Sequence, residues 1–112
     1  MRTCVRLPGR KGAALDRSEL MRELEVRVFE VSTRERLSAN ERYAICGRLG
    51  QSNGCLAYRV IGSKGTDVQM SARQPLPDQP FLVIREVPDS NETAYTYKAI
   101  SVPALEELLG RL

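Results

Sequence analysis

Phe81-Leu82-Val83-Ile84-Arg85-Glu86-Val87 opens with four large apolar side chains and stands between Pro80 and Pro88-Asp89-Ser90-Asn91. Such a run between breakers predicts a strand covered on both faces, because a strand with one wet face alternates apolar and polar residues. On this reading 81–87 is the central strand of a small sheet. Leu82 and Ile84 are buried at its start, and Arg85 and Glu86 break the run at its exposed end.

The period of two recurs on both sides of this stretch. Leu56, Tyr58 and Val60 alternate with Ala57 and Arg59, predicting a strand over 55–61. Gly62-Ser63-Lys64-Gly65 reads as a hairpin turn. Val68, Met70 and Ala72 alternate with Asp67, Gln69, Ser71 and Arg73, the pattern of a strand with one face buried. Pro75, Pro77 and Pro80 make 74–80 a stiff loop outside any sheet interior. After a loop at 88–92, a last strand over 93–100 points Tyr95, Tyr97 and Ala99 one way and Thr96, Lys98 and Ile100 the other. Val102-Pro103 then open a final helix, whose Leu105, Leu108, Leu109 and Leu112 form a stripe expected to dock on the sheet.

Upstream, the spacing of Asp16 and Glu19 is that of a capping box. Leu20, Leu24, Val28 and Val31 share a helical face, and Glu23 and Arg27 form an i,i+4 pair, predicting a helix over about 17–31. The alternation of Leu24, Val26 and Val28 with Glu23, Glu25 and Arg27 is the competing strand pattern. Ser32 with Glu35, and Ser38 with Glu41, repeat the capping-box spacing. After the second, Arg42, Ile45, Cys46 and Leu49 share a helical face and Gly50 sits at a C′ position, predicting a helix over 39–49. Asn53-Gly54 marks a turn. The expected fold is α+β: two N-terminal helices, a four-stranded antiparallel meander and a C-terminal helix packed on the sheet. Residues 1–12 form a basic arm ahead of a single domain over 13–112.

Composition narrows the chemistry. Hydrophobic content of 42% and charged content of 28% belong to an ordinary globular chain. Neither a signal-peptide h-region nor a membrane-length apolar stretch occurs, so a cytoplasmic location is expected. Histidine is absent, which removes the commonest general base and metal ligand. Cys4, Cys46 and Cys55 contain no C-x-x-C pair, so no disulfide framework or zinc ribbon is implied.

Gly50-Gln51-Ser52-Asn53-Gly54 matches G-x-S-x-G, but a helix is expected before it, a strand after it, and no base accompanies the serine. Asp78, Glu86 and Lys98 lack the spacing of a PD-(D/E)xK nuclease. The glycine pairs around Arg10-Lys11 and Ser63-Lys64 lack that of a phosphate loop. No catalytic residue, metal site or cofactor is expected.

Binding is what remains. Tyr95 and Tyr97, two apart on one strand, with Arg85 and Glu86 on the neighbouring one, form a candidate partner-binding face, since tyrosine and arginine are enriched at interfaces. The same pair on an open sheet could stack single-stranded bases. Residues 1–22 hold six basic side chains, Arg2, Arg6, Arg10, Lys11, Arg17 and Arg22, against Asp16 and Glu19; the other 90 hold eleven basic and twelve acidic ones. Arg2, Arg6, Arg10, Lys11 and Arg17 are therefore candidate phosphate contacts.

The expectation is a small non-enzymatic adaptor or inhibitor that occludes or bridges a protein or nucleoprotein partner. By analogy of size and class, such proteins occur on bacterial mobile elements and act on host machinery. The alternative is a DNA- or RNA-binding accessory protein using the arm and the Tyr/Arg face. No membrane is expected as a partner, and the oligomeric state is open.

Overall fold

In the computed structural model, residues 14–38 and 41–112 are described. The elements run α1 (Arg17–Arg27), β1 (Phe29–Thr33), β2 (Arg42–Ser52), β3 (Cys55–Gly62), β4 (Asp67–Ala72), β5 (Phe81–Pro88), β6 (Tyr95–Ser101) and α2 (Val102–Leu109). The six strands close into an antiparallel barrel in the order β1-β4-β3-β2-β5-β6, with β6 returning to β1. This replaces the expected four-stranded meander with two N-terminal helices.

The largest correction lies at 39–49, where a strand stands in place of the expected helix. Asn53 and Gly54 both have positive φ, 53° and 78°, so they make the primed two-residue turn of a hairpin that pairs Ser52 with Cys55. The helical spacing of Arg42, Ile45, Cys46 and Leu49 has a specific origin. The β2–β3 register slips between Ile45 and Gly47 and again between Arg48 and Gly50, leaving Cys46 and Leu49 as extra residues on β2. Each bulge shifts the in–out alternation by one residue, so β2 loses the strict period of two that would have marked it as a strand. Gly50, expected at a helix C′ position, lies opposite Ala57 in the sheet.

The expected helix over 17–31 divides instead. Its start is as read: Asp16 Oδ1 accepts from the Glu19 N–H at 2.8 Å, and Glu19 Oε1 accepts from the Asp16 N–H at 3.0 Å. It ends at Arg27, and Val28 turns the chain into β1, where the β-branched residues pair with β6. The competing strand alternation at 23–28 lies within α1 and its C-cap, and the strand begins only at Phe29, where the helix expectation had continued to 31.

The interior is filled by alternate residues from every strand, including Val31, Tyr43, Tyr58, Val60, Met70, Phe81 and Tyr97. Phe81 packs edge-on against Phe29 at 5.3 Å and stacks on Tyr43 at 5.6 Å. Closure is tight around most of the ring and thin at two seams. β1 meets β4 at a single register pair, Ser32–Ser71, and β2 meets β5 only through Arg42 and Tyr43.

Outside the barrel, Ile100 and Leu108 are fully buried where α2 lies against β6, and Arg27 ties α1 to α2 through Glu107 at 2.7 Å. Of the expected apolar stripe on α2, Leu109 and Leu112 remain exposed. Among the described residues no helix is long and apolar enough to cross a membrane.

Candidate functional site

Two of the barrel connections pass across its mouths. In the ring, β1 lies three places from β2, and β4 three places from β5, so both links span the diameter. With all neighbours antiparallel, β1 ends at one mouth and β4 at the other. Each crossing inserts a leucine into the core, Leu37 in the first and Leu76 in the second. In each case a barrel tyrosine accepts from that leucine's own N–H: Tyr97 from Leu37 at 2.8 Å, and Tyr58 from Leu76 at 3.3 Å.

The first crossing carries the charged node of the molecule. The Tyr97 hydroxyl donates to Glu86 at 2.9 Å, and Arg36 pairs with the same carboxylate at 3.2 Å. The Tyr97 hydrogen bond, then Arg36, holds the Glu86 carboxyl below the ordinary glutamate range. Burial, reinforced by Glu86, pushes Tyr97 up to about 12 despite the opposing Leu37 N–H. Nearby, the Tyr43 hydroxyl is buried with no partner in hydrogen-bonding geometry among the described residues. Burial first, and the adjacent Glu41 carboxylate second, push its pKa above the ordinary tyrosine value.

This geometry divides the four residues read as one binding face. Tyr97 has no exposed surface and belongs to the core, with half-buried Tyr95 stacked beside it at 6.3 Å. Tyr95 donates its hydroxyl to the Glu92 carbonyl. Glu86 lies opposite Tyr97 and is joined to it. Arg85 faces out, opposite Lys98. A closed barrel has one interior, and the tyrosines point into it. Arg17 is exposed on the first turn of α1, whereas Arg2, Arg6, Arg10 and Lys11 lie outside the described residues.

Arg85 nevertheless stands at a groove. The β5–β6 register slips between Val83 and Arg85, so Ile84 is an extra residue and the expected two-faced burial of 81–84 does not occur. Phe81 and Val83 point inward, while Ile84 is 47% exposed. Ile84, with Met21, Leu24 and Val28 of the α1 segment, lines an open groove of about 430 Å³ whose rim carries Glu25, Arg85 and Lys98. Arg85 and Lys98 are like charges directly opposite on neighbouring strands, an arrangement that weakens a sheet by a few tenths of a kcal/mol. Lys98 is relieved by Glu30 at 3.0 Å, and no ion pair among the described residues relieves Arg85.

The groove residues on α1 carried a legible apolar spacing, but spacing alone does not distinguish a core stripe from a groove wall. Ile84 was invisible as a surface residue because the bulge that exposes it depends on pairing with β6.

A second, larger groove of about 700 Å³ follows the thin β1–β4 seam and is lined by Ser32, Thr33, Arg34, Gln69, Ser71 and the bulged Leu49, among others. Both grooves therefore contain an aliphatic residue extruded by a bulge beside an arginine. Among the described residues no three His, Cys, Asp or Glu side chains converge as a metal site. Ser52 of the G-x-S-x-G stretch lies at the hairpin end of β2, and Asp78 sits in the second crossing. Comparison of the chain with protein-family models, curated proteins and solved structures found no match.

Proposed function

We propose that this chain is a non-enzymatic interaction protein, an adaptor or inhibitor that binds a protein partner in the groove between α1 and the β5–β6 face. The observation that carries this reading is the Ile84 bulge, which places an aliphatic side chain and the unrelieved Arg85 together on the outer surface. The apolar wall would take an aliphatic side chain, and Arg85 a carboxylate next to it. Magnitudes assign their roles. Burying one aliphatic side chain is worth about 1.5–3 kcal/mol, whereas an exposed rim ion pair gives roughly 0.2–1 kcal/mol. Affinity would come from the wall and selectivity from the arginine. A cytoplasmic partner, or the protein part of a nucleoprotein complex, fits this chemistry.

The test is a photo-crosslinking amino acid at Ile84, with the same group at Ser63 in the exposed β3–β4 turn as control. The reading expects a discrete adduct from the native cell at position 84 alone. That adduct should be lost with Arg85→Glu and retained with Arg73→Glu. Equal labelling from both positions would remove the groove from consideration.

A further inference from the structure

α1 and β1 are joined by Val28 alone, and Val28 itself lines the groove between α1 and the β5–β6 face. The helix wall (Met21, Leu24 and Val28) and the sheet wall (Ile84 and Arg85) therefore converge on a covalent link that closes the groove at one end. Glu30, two residues past Val28, lies opposite Lys98. Along the strands the Arg85–Lys98 pair is thus about 7 Å from the closed end. A polypeptide running straight through would meet the link, whereas a chain terminus enters from the open end. The charges on the two walls decide which terminus. Arg85 and Lys98 stand opposite one another on the sheet side, and the exposed Glu25 stands on the helix side. Among the described residues neither Arg85 nor Glu25 is in an ion pair, although their charges are opposite and both line one groove.

We infer that the groove takes the C-terminal residue of the partner protein, an aliphatic one; this rests on the groove being the partner's site. The aliphatic side chain lies against Ile84, Leu24 and Met21. The α-carboxylate meets Arg85, with Lys98 behind it, and the residue's backbone N–H is donated to the Glu25 carboxylate. One C-terminal residue carries all three groups on a single Cα. An internal aspartate or glutamate holds its carboxylate on a different residue from the aliphatic group and needs chain on both sides of it. A simple aliphatic acid has no N–H for Glu25. The groove's volume of about 430 Å³ is within the range of ligand clefts, roughly 300–1,000 Å³, so the terminal residue enters with part of its neighbour. Capture of a chain terminus through its charge is a recurrent mode of peptide recognition.

The experiment titrates the full chain with small probes while the backbone amide NMR signals of Ile84 and Arg85 are followed. The probes are N-acetyl-leucine, N-acetyl-leucinamide, free leucine, isovalerate, and N-acetyl-leucylglutamate α-amide, whose only carboxylate is on a side chain. N-acetyl-leucine should shift both signals and bind about two- to five-fold more tightly than N-acetyl-leucinamide, the yield of one exposed ion pair. Arg85→Gln should remove most of that preference. Glu25→Ala should remove the preference for N-acetyl-leucine over isovalerate. Equal binding of the acid and its amide, or of N-acetyl-leucine and isovalerate, would overturn the proposal. Tighter binding of free leucine would overturn it in favour of an amino-acid site. If the leucylglutamate amide bound best, the groove would read an internal acidic residue, so the terminus would fall while the groove stood. Absence of shifts with every probe would also sink the terminus, and the Ile84 crosslink would decide the groove separately.

Discussion

The two crossings, 34–41 and 73–80, solve one problem with different chemistry. A closed barrel leaves two open mouths, and each is stoppered by a leucine whose N–H is accepted by a tyrosine on the strand next to the one the crossing leaves. At the first, the tyrosine is also bonded to a carboxylate that an arginine of the crossing itself reaches. At the second, Tyr58 accepts one longer bond, and Gln74 donates to the Glu30 carbonyl at 3.4 Å. Proline stiffens the second crossing, so less chain entropy is lost in ordering it. The first has no proline and is held by a charge-assisted network. The first mouth should therefore respond to pH.

The largest effect expected is common to both mouths. Leu37→Ala and Leu76→Ala each remove a buried side chain and leave a cavity, costing about 2–5 kcal/mol in urea unfolding. If either proved neutral, that leucine would not be a stopper. The tyrosines should separate the two. Tyr97→Phe strands the Leu37 N–H and a half-buried carboxylate and should cost about 1–3 kcal/mol, while Tyr58→Phe breaks one bond worth about 1 kcal/mol. Equal losses would erase the distinction.

The pH response follows from the signs. Glu86 is held below its ordinary range, so its contribution is complete above the unfolded value of about 4.3 and is lost as pH falls through the lower folded value. Glu86→Gln should flatten the acid limb of the urea midpoint against pH by lowering the neutral value towards the acid one. Tyr97 is raised, so its contribution is intact below about 10 and is lost as pH climbs towards about 12. Tyr97→Phe should remove part of that alkaline limb. The smallest effect lies beside this node. Tyr43→Phe deletes a buried hydroxyl that has only the nearby Glu41 carboxylate and no partner in hydrogen-bonding geometry among the described residues, and should change stability by less than about 1 kcal/mol.

Among the described elements β3, β4, β5 and β6 lie within a residue or two of expectation, and α2 starts where expected but ends at Leu109, short of the expected Leu112. The capping box also placed the start of α1. The misreadings share a cause. Cys46, Leu49 and Ile84 are bulge residues, and a bulge exists only relative to a partner strand. On β2 the extra residues produced a false helix, and on β5 they made a one-faced strand look two-faced. The candidate site suffered the same way. Tyr95 and Tyr97 were correctly read as sharing a face, but whether that face is open or closed is a property of the whole ring.

What local sequence settled is whatever neighbouring residues negotiate among themselves. The Asp16–Glu19 cap, the Asn53-Gly54 turn and the alternation of β3 and β4 each follow from backbone geometry within a few residues. Closure, burial of the tyrosines and exposure of Ile84 and Leu49 depend on pairings between distant strands. Phe29 lies opposite Ala99, and Glu86 opposite Tyr97. Such contacts form only when the ring closes, because hydrogen-bond register couples each strand to two neighbours that its own residues do not encode.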